Sequence, residues 1–546
     1  MTLPPPYRAH RCALVVLVLV VAGLTGLAGP GVTTAADARQ GRRPAAPTVT
    51  PGHPLVGEPV RVSGRLPTRV RRPVRLERRT GGRWRRVASG RSTRSGAVSF
   101  TVAAADGPVR LVAPATRGRV PLRRYVSRSR AVVTAAPRSA PVYLTPSGML
   151  PASGGLDPAL SSDGDWVAWT SPSEPIANVD TNGTTDVYLT DRRTGATTLV
   201  SRSLTAAAGD QASGRGDVSE GGRYVVFQST ATDLVPGPAG SATQVYRFDR
   251  STGAVVRVSA TPAGAPGNGS SVDVAISDDG RWVVFTSAAT DLGGDSDADD
   301  DVYLWDASTR RSRLVSVTPG GLDGNGPSML PAVSRDGRFV SFSSDASDLV
   351  SGDTNAQTDV FVRDVTGRKT VLVSHAPGGG PADGPSYTSS VSDDGTRVAF
   401  DSRATDLTRG GAPTRYDVFL WTRGARAVRL LTPRIGSGDD LDAYEPSLSG
   451  DGRWVAFPSD STRLVRGDTN GVTDVFVAST ANGFLARVSV SATGREVHQG
   501  GGSNAAGVSR DGRRVVFASS SVDVVPGDTA GNTDVFVTDV RARRAG

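Results

Sequence analysis

The chain has 546 residues, with 62 Lys+Arg against 53 Asp+Glu and a formal net charge of +9. Hydrophobic residues make up 38%, and 65 Gly with 36 Pro exclude both a disordered chain and a helical one. One cysteine, Cys12, and four histidines, His10, His53, His375 and His498, exclude a disulfide framework, a cysteine-based metal centre and chemistry that needs several imidazoles.

The charge is split along the chain. Residues 1–140 hold 26 Arg against Asp37, Glu58, Glu77 and Asp106, so the remainder is net acidic. Two modules with different surfaces follow from this asymmetry.

Residues 1–38 read as an export signal. Arg8 and Arg11 precede an apolar run from Ala13 to about Ala28, and Ala36-Asp37-Ala38 fits a small-x-small cleavage site. The run is shorter than the ~20 residues a spanning helix needs. An uncleaved N-terminal anchor is the alternative. Cys12 precedes the run and is no lipid attachment site, and cleavage leaves a mature chain without cysteine, which suits an oxidising exterior. The expectation is an exported, extracellular or envelope-associated monomer with no transmembrane segment after cleavage.

Residues 39–47 form a linker, and 48–137 an Arg-rich β-sandwich. Runs such as Pro59–Ser63, Val74–Arg78, Val98–Val102 and Val109–Val112 alternate apolar and polar residues, as half-buried strands do. Thr80-Gly81-Gly82 and Arg94-Ser95-Gly96 separate them as turns. The stretch Arg72–Val102 resembles bacterial Ig-like domains, which implies a sandwich. The arginines of 61–130 suit contact with a polyanion; a solvated strand face, or contact with the acidic C-terminal module, are the other readings.

Residues 141–546 are an array of seven copies of Ser-x-Asp-Gly-Arg-x-Val-x-Phe, starting at Ser161, Ser219, Ser277, Ser334, Ser392, Ser449 and Ser509. Their glycines, from Gly164 to Gly512, stand 57–60 residues apart, a period that signals a solenoid or a propeller. Each copy holds four strand-like runs. In the fourth these are Met329–Val333, Phe339–Phe342, Asp359–Val362 and Val371–Ser374, with Asp336-Gly337 as the first hairpin. The last copy lacks a clear fourth run, and Val142–Gly148 matches one, so an N-terminal strand is expected to close the ring. The predicted fold is all-β: a seven-bladed propeller of four-stranded blades after a small Ig-like sandwich.

These copies resemble the WD40-like propeller repeats of the TolB family, whose signature is Ser-Pro-Asp-Gly before a strand ending Ala-Phe. Asp163-Gly164, Asp279-Gly280, Asp336-Gly337, Asp394-Gly395, Asp451-Gly452 and Asp511-Gly512 match it; the second copy has Gly221 in place of Asp, and the Pro is absent. The resemblance implies a binding platform and names no ligand.

The loops between the second and third runs carry the most chemistry. They read Asp180-Thr-Asn182-Gly-Thr-Thr-Asp186, Asp295-Ser-Asp297-Ala-Asp299-Asp300-Asp301, Asp353-Thr-Asn355-Ala-Gln-Thr-Asp359, Asp468-Thr-Asn470-Gly-Val-Thr-Asp474 and Asp528-Thr-Ala-Gly-Asn532-Thr-Asp534. Copy two has Gln244, and copy five keeps only Asp417. Oxygen atoms at alternate positions can enclose a hard cation such as calcium, and the five carboxylates of 295–301 make that loop the foremost candidate. The structural alternative is that these Asp and Asn side chains cap turns.

The Asp-Gly turns differ in spacing from sialidase Asp-boxes and read as structural. His375 and His498 follow fourth strands in non-adjacent copies and make a poor metal set, and no Gly-x-Ser-x-Gly elbow is present. The expected role is non-catalytic binding of a protein or envelope polymer on the propeller face that carries these loops. A carbohydrate hydrolase or lyase is the runner-up, and a display module tethered by the Arg-rich domain is the third reading.

Overall fold

The computed structural model describes residues 44–541, apart from 51–53, 69, 117–121, 143–153, 173–179, 181, 295–296, 410–414, 434–441, 499 and 529–530. The export signal of 1–38, most of the linker, and Asp295 lie outside the described residues. Residues 45–546 make one compact unit.

Eight strands come first: β1 (Thr48–Thr50), β2 (Pro59–Arg65), β3 (Pro73–Thr80), β4 (Arg83–Arg91), β5 (Ala97–Ala103), β6 (Gly107–Ala113), β7 (Tyr125–Val126) and β8 (Arg130–Val132). They build a three-stranded sheet, β1-β2-β5, and a five-stranded sheet, β4-β3-β6-β7 with β8 also on β6. The inward residues of the alternating runs, Val60, Val62, Val74, Leu76, Val98, Phe100, Val109 and Leu111, are buried in one shared core. Period-two patterning turns one face of each sheet inward, which is why these short strands hold together without a disulfide.

Seven four-stranded antiparallel sheets follow. The fourth is built from Ser328–Val333, Phe339–Ser344, Asp359–Asp364 and Lys369–Leu372. Each pair of neighbouring sheets shares one apolar cluster, and so do the seventh and the first, through Val516, Val535 and Val537 against Val167, Trp169 and Tyr188. The sheets therefore form a closed ring, a β-propeller. Within each sheet the second and third strands set one aromatic pair directly opposite each other, as in Phe342–Phe361 at 5.9 Å and Phe400–Phe419 at 5.7 Å.

The seventh sheet contains Gly500–Val508, Arg514–Ser521 and Asp534–Asp539, and its fourth strand is β9 (Arg138–Pro141). Closure by an N-terminal strand holds, but the strand lies before the expected Val142–Gly148, of which only Val142 is described, donating to Val535 O at 2.9 Å. The fourth strand of the fourth copy is displaced likewise, ending at Leu372 and not at Ser374. The cause is a serine hydroxyl. Val360 N donates to Ser374 Oγ at 2.9 Å, so a side chain replaces the backbone carbonyl and the ladder stops.

The first hairpins hold their glycines at positive φ, 71° at Gly337 of an Asp-Gly turn and 63° at Gly222 of the Gly-Gly turn in the second copy. Glycine is required there twice over. A Cβ on Gly337 would stand 2.2 Å from Trp282 of the preceding sheet, and one on Gly222 would stand 2.2 Å from Trp166. The hairpin is thus also an inter-sheet packing surface.

The sandwich and the ring share contacts. Leu55 and Ala135 pack into the cluster between the sixth and seventh sheets, and Arg541 pairs with Glu58. Among the described residues no helix is long and apolar enough to cross a membrane.

Candidate functional site

The innermost strand of each sheet lines the axis of the ring. Four positions before each motif serine stand Asp157, Arg215, Asp273, Leu330, Thr388, Glu445 and Ala505. Five of these seven hold a positive φ: 45° at Asp157, 41° at Arg215, 49° at Asp273, 53° at Leu330 and 46° at Glu445. Non-glycine residues adopt this conformation at a cost, and a ladder register shift accompanies it at the first four of the five. A bulge re-aims a side chain, here towards the axis.

Asp157, Arg215, Asp273, Leu330, Thr388 and Glu445 surround a cavity of about 450 Å³, lined also by Val274, Pro331, Ser389 and Pro446. Arg215 Nη1 lies 2.8 Å from Asp273 Oδ1. Loss of solvent pushes the Glu445 carboxyl up; Arg215 opposes the shift and Asp157 adds to it. Burial, with Asp273 and Asp299, also raises Asp300. Glu445 N donates to Asp401 Oδ2 at 2.9 Å, while Asp401 Oδ1 is buried without a hydrogen-bond partner. Burial first, and then Glu445, push the Asp401 carboxyl up to about 7. The mouth is thus acidic, with Arg215 the cation among its lining side chains.

The axis is narrowed at its other end by charge. Arg335 pairs with Glu220 at 3.0 Å and Asp278 at 3.5 Å, and Arg510 with Asp393 at 2.5 Å. Burial raises Asp278 to about 6, with Asp393 adding to the shift. Cross-axis pairs of this kind tie non-adjacent sheets together.

The Asp-rich loops lie at the start of the third strands, at the same end of the sheets as the mouth. Three share one geometry. Asn182 Nδ2 donates to Asp186 Oδ2 at 2.8 Å and to Gly209 O at 2.6 Å; Asn355 does so to Asp359 (2.7 Å) and Ala382 O (2.9 Å), and Asn470 to Asp474 (3.0 Å) and Val497 O (3.1 Å). Each Asp takes its second bond from a serine at 2.5 Å: Ser201, Ser374 or Ser489. In the second copy Gln244 alone performs both parts, accepting from Ser259 and donating to Gly267 O. In these loops the Asn turns N–H, and not oxygen, towards the Asp. Burial nevertheless raises Asp186 to about 6 and Asp359 to about 7. Asp180 accepts from the Tyr188 hydroxyl, and burial of the Asp353 side chain raises that carboxyl too.

Among the described residues two groups of three carboxylates have ligand atoms within 4.8 Å of one another: Asp468, Asp474 and Glu496, and Asp297, Asp301 and Asp323. Arg487 reaches all three members of the first, at 3.3, 3.0 and 2.6 Å, and occupies the place of a cation there. In the second group Asp297 stands where the other loops have the donating Asn, Asp323 stands where others have Ala208, Pro266 or Pro381, and Leu314 stands where the sixth sheet has Arg487. Asp299 lies in the same loop and donates its N–H to Asp297 at 2.9 Å.

Sequence reading singled out these loops and missed the mouth. It also missed Asp323, Glu496 and Arg487, which come from the fourth strands and the loops after them. The signal for the mouth was available in the aligned copies, where charged residues recur at one position of an otherwise small or apolar strand. His375 Nδ1 lies 3.0 Å from Ala376 O and His498 Nε2 lies 3.4 Å from Glu496; neither lines the mouth cavity.

No family model and no curated protein matches this chain. Among solved structures, a protein described as TolB from Agrobacterium tumefaciens is 16% identical, with a TM-score of 0.34, covering 54% of this chain and 85% of its own. A puromycin-hydrolysing peptidase of Mycobacterium tuberculosis is 17% identical at a TM-score of 0.42, over 74% of this chain and 57% of the peptidase. The RRP9 WD40 repeats give 8% identity and 0.39, over 75% and 100%. The chain is similar to these, and its own closed ring of sheets is what shows the β-propeller fold.

Proposed function

We propose that this is an exported binding protein in which a seven-bladed propeller, carried on an Ig-like sandwich, receives its ligand at the acidic mouth of the central channel. One observation carries the reading. The copies repeat one turn and one aromatic pair, yet the position facing the axis varies in chemistry and in five of the seven is held in a costly conformation. Strain of this kind persists where the surrounding structure holds a side chain for use. Asp157, Asp273 and Glu445 beside Val274 and Pro331 suit a partner protein that inserts a basic side chain, with Arg215 yielding Asp273 to it.

The test is binding of an oligolysine peptide to the parent chain and to an Asp157→Asn/Glu445→Gln variant. Binding to the parent that is lost in the variant supports the mouth as the site. Equal binding to both, or none to either, overturns it.

Calcium at Asp297, Asp301 and Asp323 is a second, separate reading, supported by Asp in place of Asn at 297 and by Asp323 where other copies have Ala208, Pro266 or Pro381. Backbone carbonyls and water would complete such an oxygen set.

A further inference from the structure

We infer that the outer face of the five-stranded sheet, with its free edge strand β4, binds a linear polymer bearing phosphate groups. This does not depend on what enters the channel.

Arg75, Arg79, Arg83, Arg85, Arg86 and Arg91 are all exposed on β3 and β4. The described carboxylates of the sandwich are engaged elsewhere. Glu58 holds Arg541, Glu77 holds Arg110 at 2.9 Å, and Asp106 accepts from Thr134 N and Oγ1 at 2.7 and 2.8 Å. The propeller treats its arginines differently. At matched turns Arg223 pairs with Asp249, Arg281 with Asp306 and Arg338 with Asp364, at 3.3, 2.8 and 2.7 Å. An arginine-rich composition therefore does not by itself leave arginines without acidic partners. The propeller also carries a net excess of carboxylates, whereas the sandwich sets its arginines against Glu58, Glu77 and Asp106 alone. Charges guard an edge strand against pairing, and this edge with its neighbour carries six exposed arginines.

The layout favours a chain-like partner. Arg83 and Arg91 stand eight residues apart on one strand, about 26 Å at the usual rise, which outspans any compact anion. Arg85 and Arg86 are successive strand residues and point to opposite faces, so a flexible polymer can engage both and a flat lipid surface cannot. Trp84 lies on the face of Arg79 and Arg86, with the Arg110 guanidinium 4.0 Å from its ring centroid. That fixes a rigid floor between the mobile cations. Guanidinium forks match phosphate oxygens with two parallel bonds, as they match carboxylates, and a phosphate polymer offers such a group at every repeat.

The experiment measures binding of the full chain to long-chain inorganic polyphosphate, to orthophosphate and to anionic phospholipid vesicles. Polyphosphate should bind, and its affinity should fall about tenfold or more between ~50 and ~200 mM salt. Replacing Arg75, Arg79, Arg85 and Arg86 by Gln should cost at least about tenfold at low salt, while the four Lys replacements retain the salt dependence. The Asp157→Asn/Glu445→Gln variant should bind polyphosphate like the parent, which separates this site from the channel mouth. Absent binding at low salt, a Gln variant of equal melting temperature that binds as well as the parent, orthophosphate competing at equal phosphate concentration, or vesicles binding in place of the polymer would each overturn the inference.

Discussion

Arg541 and Glu58 meet through two parallel N–H···O bonds, Nη1 to Oε2 at 2.8 Å and Nη2 to Oε1 at 2.9 Å, joining the end of the last propeller strand to the sandwich. Glu58 Oε2 also accepts from Leu55 N at 2.8 Å, and Leu55 packs into the propeller cluster. Both charged side chains are largely buried, at 17% and 6% exposure, so salt screens the pair weakly. Arg541→Gln leaves Glu58 buried and short of its partner, which should cost on the order of 2 kcal/mol. Thermal melting checks it: a drop of a few degrees that persists in high salt is expected, and an unchanged melting temperature would show that the two modules are held by apolar contact alone.

Gly337→Ala should be among the most damaging single changes in the ring. The new Cβ meets the Trp282 ring at 2.2 Å while the backbone stays at a φ of 71°. Strain and overpacking together predict about 2 kcal/mol or more. Gly183→Ala, at a φ of 70° with open space around it, isolates the backbone term and should cost about 1 kcal/mol. Equal losses in the two variants would remove the inter-sheet packing argument.

Stability should decline as pH rises from about 4 to about 7. Asp359 and Asp534 are raised to about 7 and Asp186 to about 6, in each case chiefly by burial. A carboxyl whose folded pKa exceeds its unfolded value binds more protons when folded, so its contribution is fully present below the unfolded pKa and is lost as pH climbs through the folded one. Asp534 Oδ2 has no hydrogen-bond partner, and the serine that serves Asp359 is replaced in the sequence by Tyr143. Asp534→Asn should therefore stabilise at pH 8 by on the order of 1 kcal/mol and change little at pH 5. Melting both proteins at the two pH values decides it; stabilisation confined to pH 5 would reverse the sign.

Calcium provides a fourth test. If Asp297, Asp301 and Asp323 hold the ion, millimolar calcium should raise the melting temperature relative to EGTA, by mass action on the folded state. Asp297→Asn restores the donating amide found in the sister loops and should abolish the shift. A shift that survives this change places any calcium elsewhere, and no shift in the parent assigns Asp297 to turn architecture.

The repeat period, the strands and the hairpins were legible because each is encoded locally. Alternation along Phe339–Phe342 and Asp359–Val362 dictates two half-buried strands, and Asp336-Gly337 dictates the turn between them. Even closure could be read, since a missing fourth run at one end matched a spare one at the other. Where a fourth strand ends could not be read: in the fourth sheet a serine hydroxyl, and not the apolar pattern, ends the ladder. The site belongs to another level. Asp157, Arg215, Asp273 and Glu445 lie in separate repeats, 288 residues apart from first to last, and only the closed ring brings them to one axis. Asp297 and Asp301 were visible as a metal motif, but Asp323 joins them, and Arg487 neutralises the similar group at Asp468, only through the fold. Secondary structure follows from the order of neighbouring residues; charge complementation and cavities follow from which distant residues meet, and that is decided by packing.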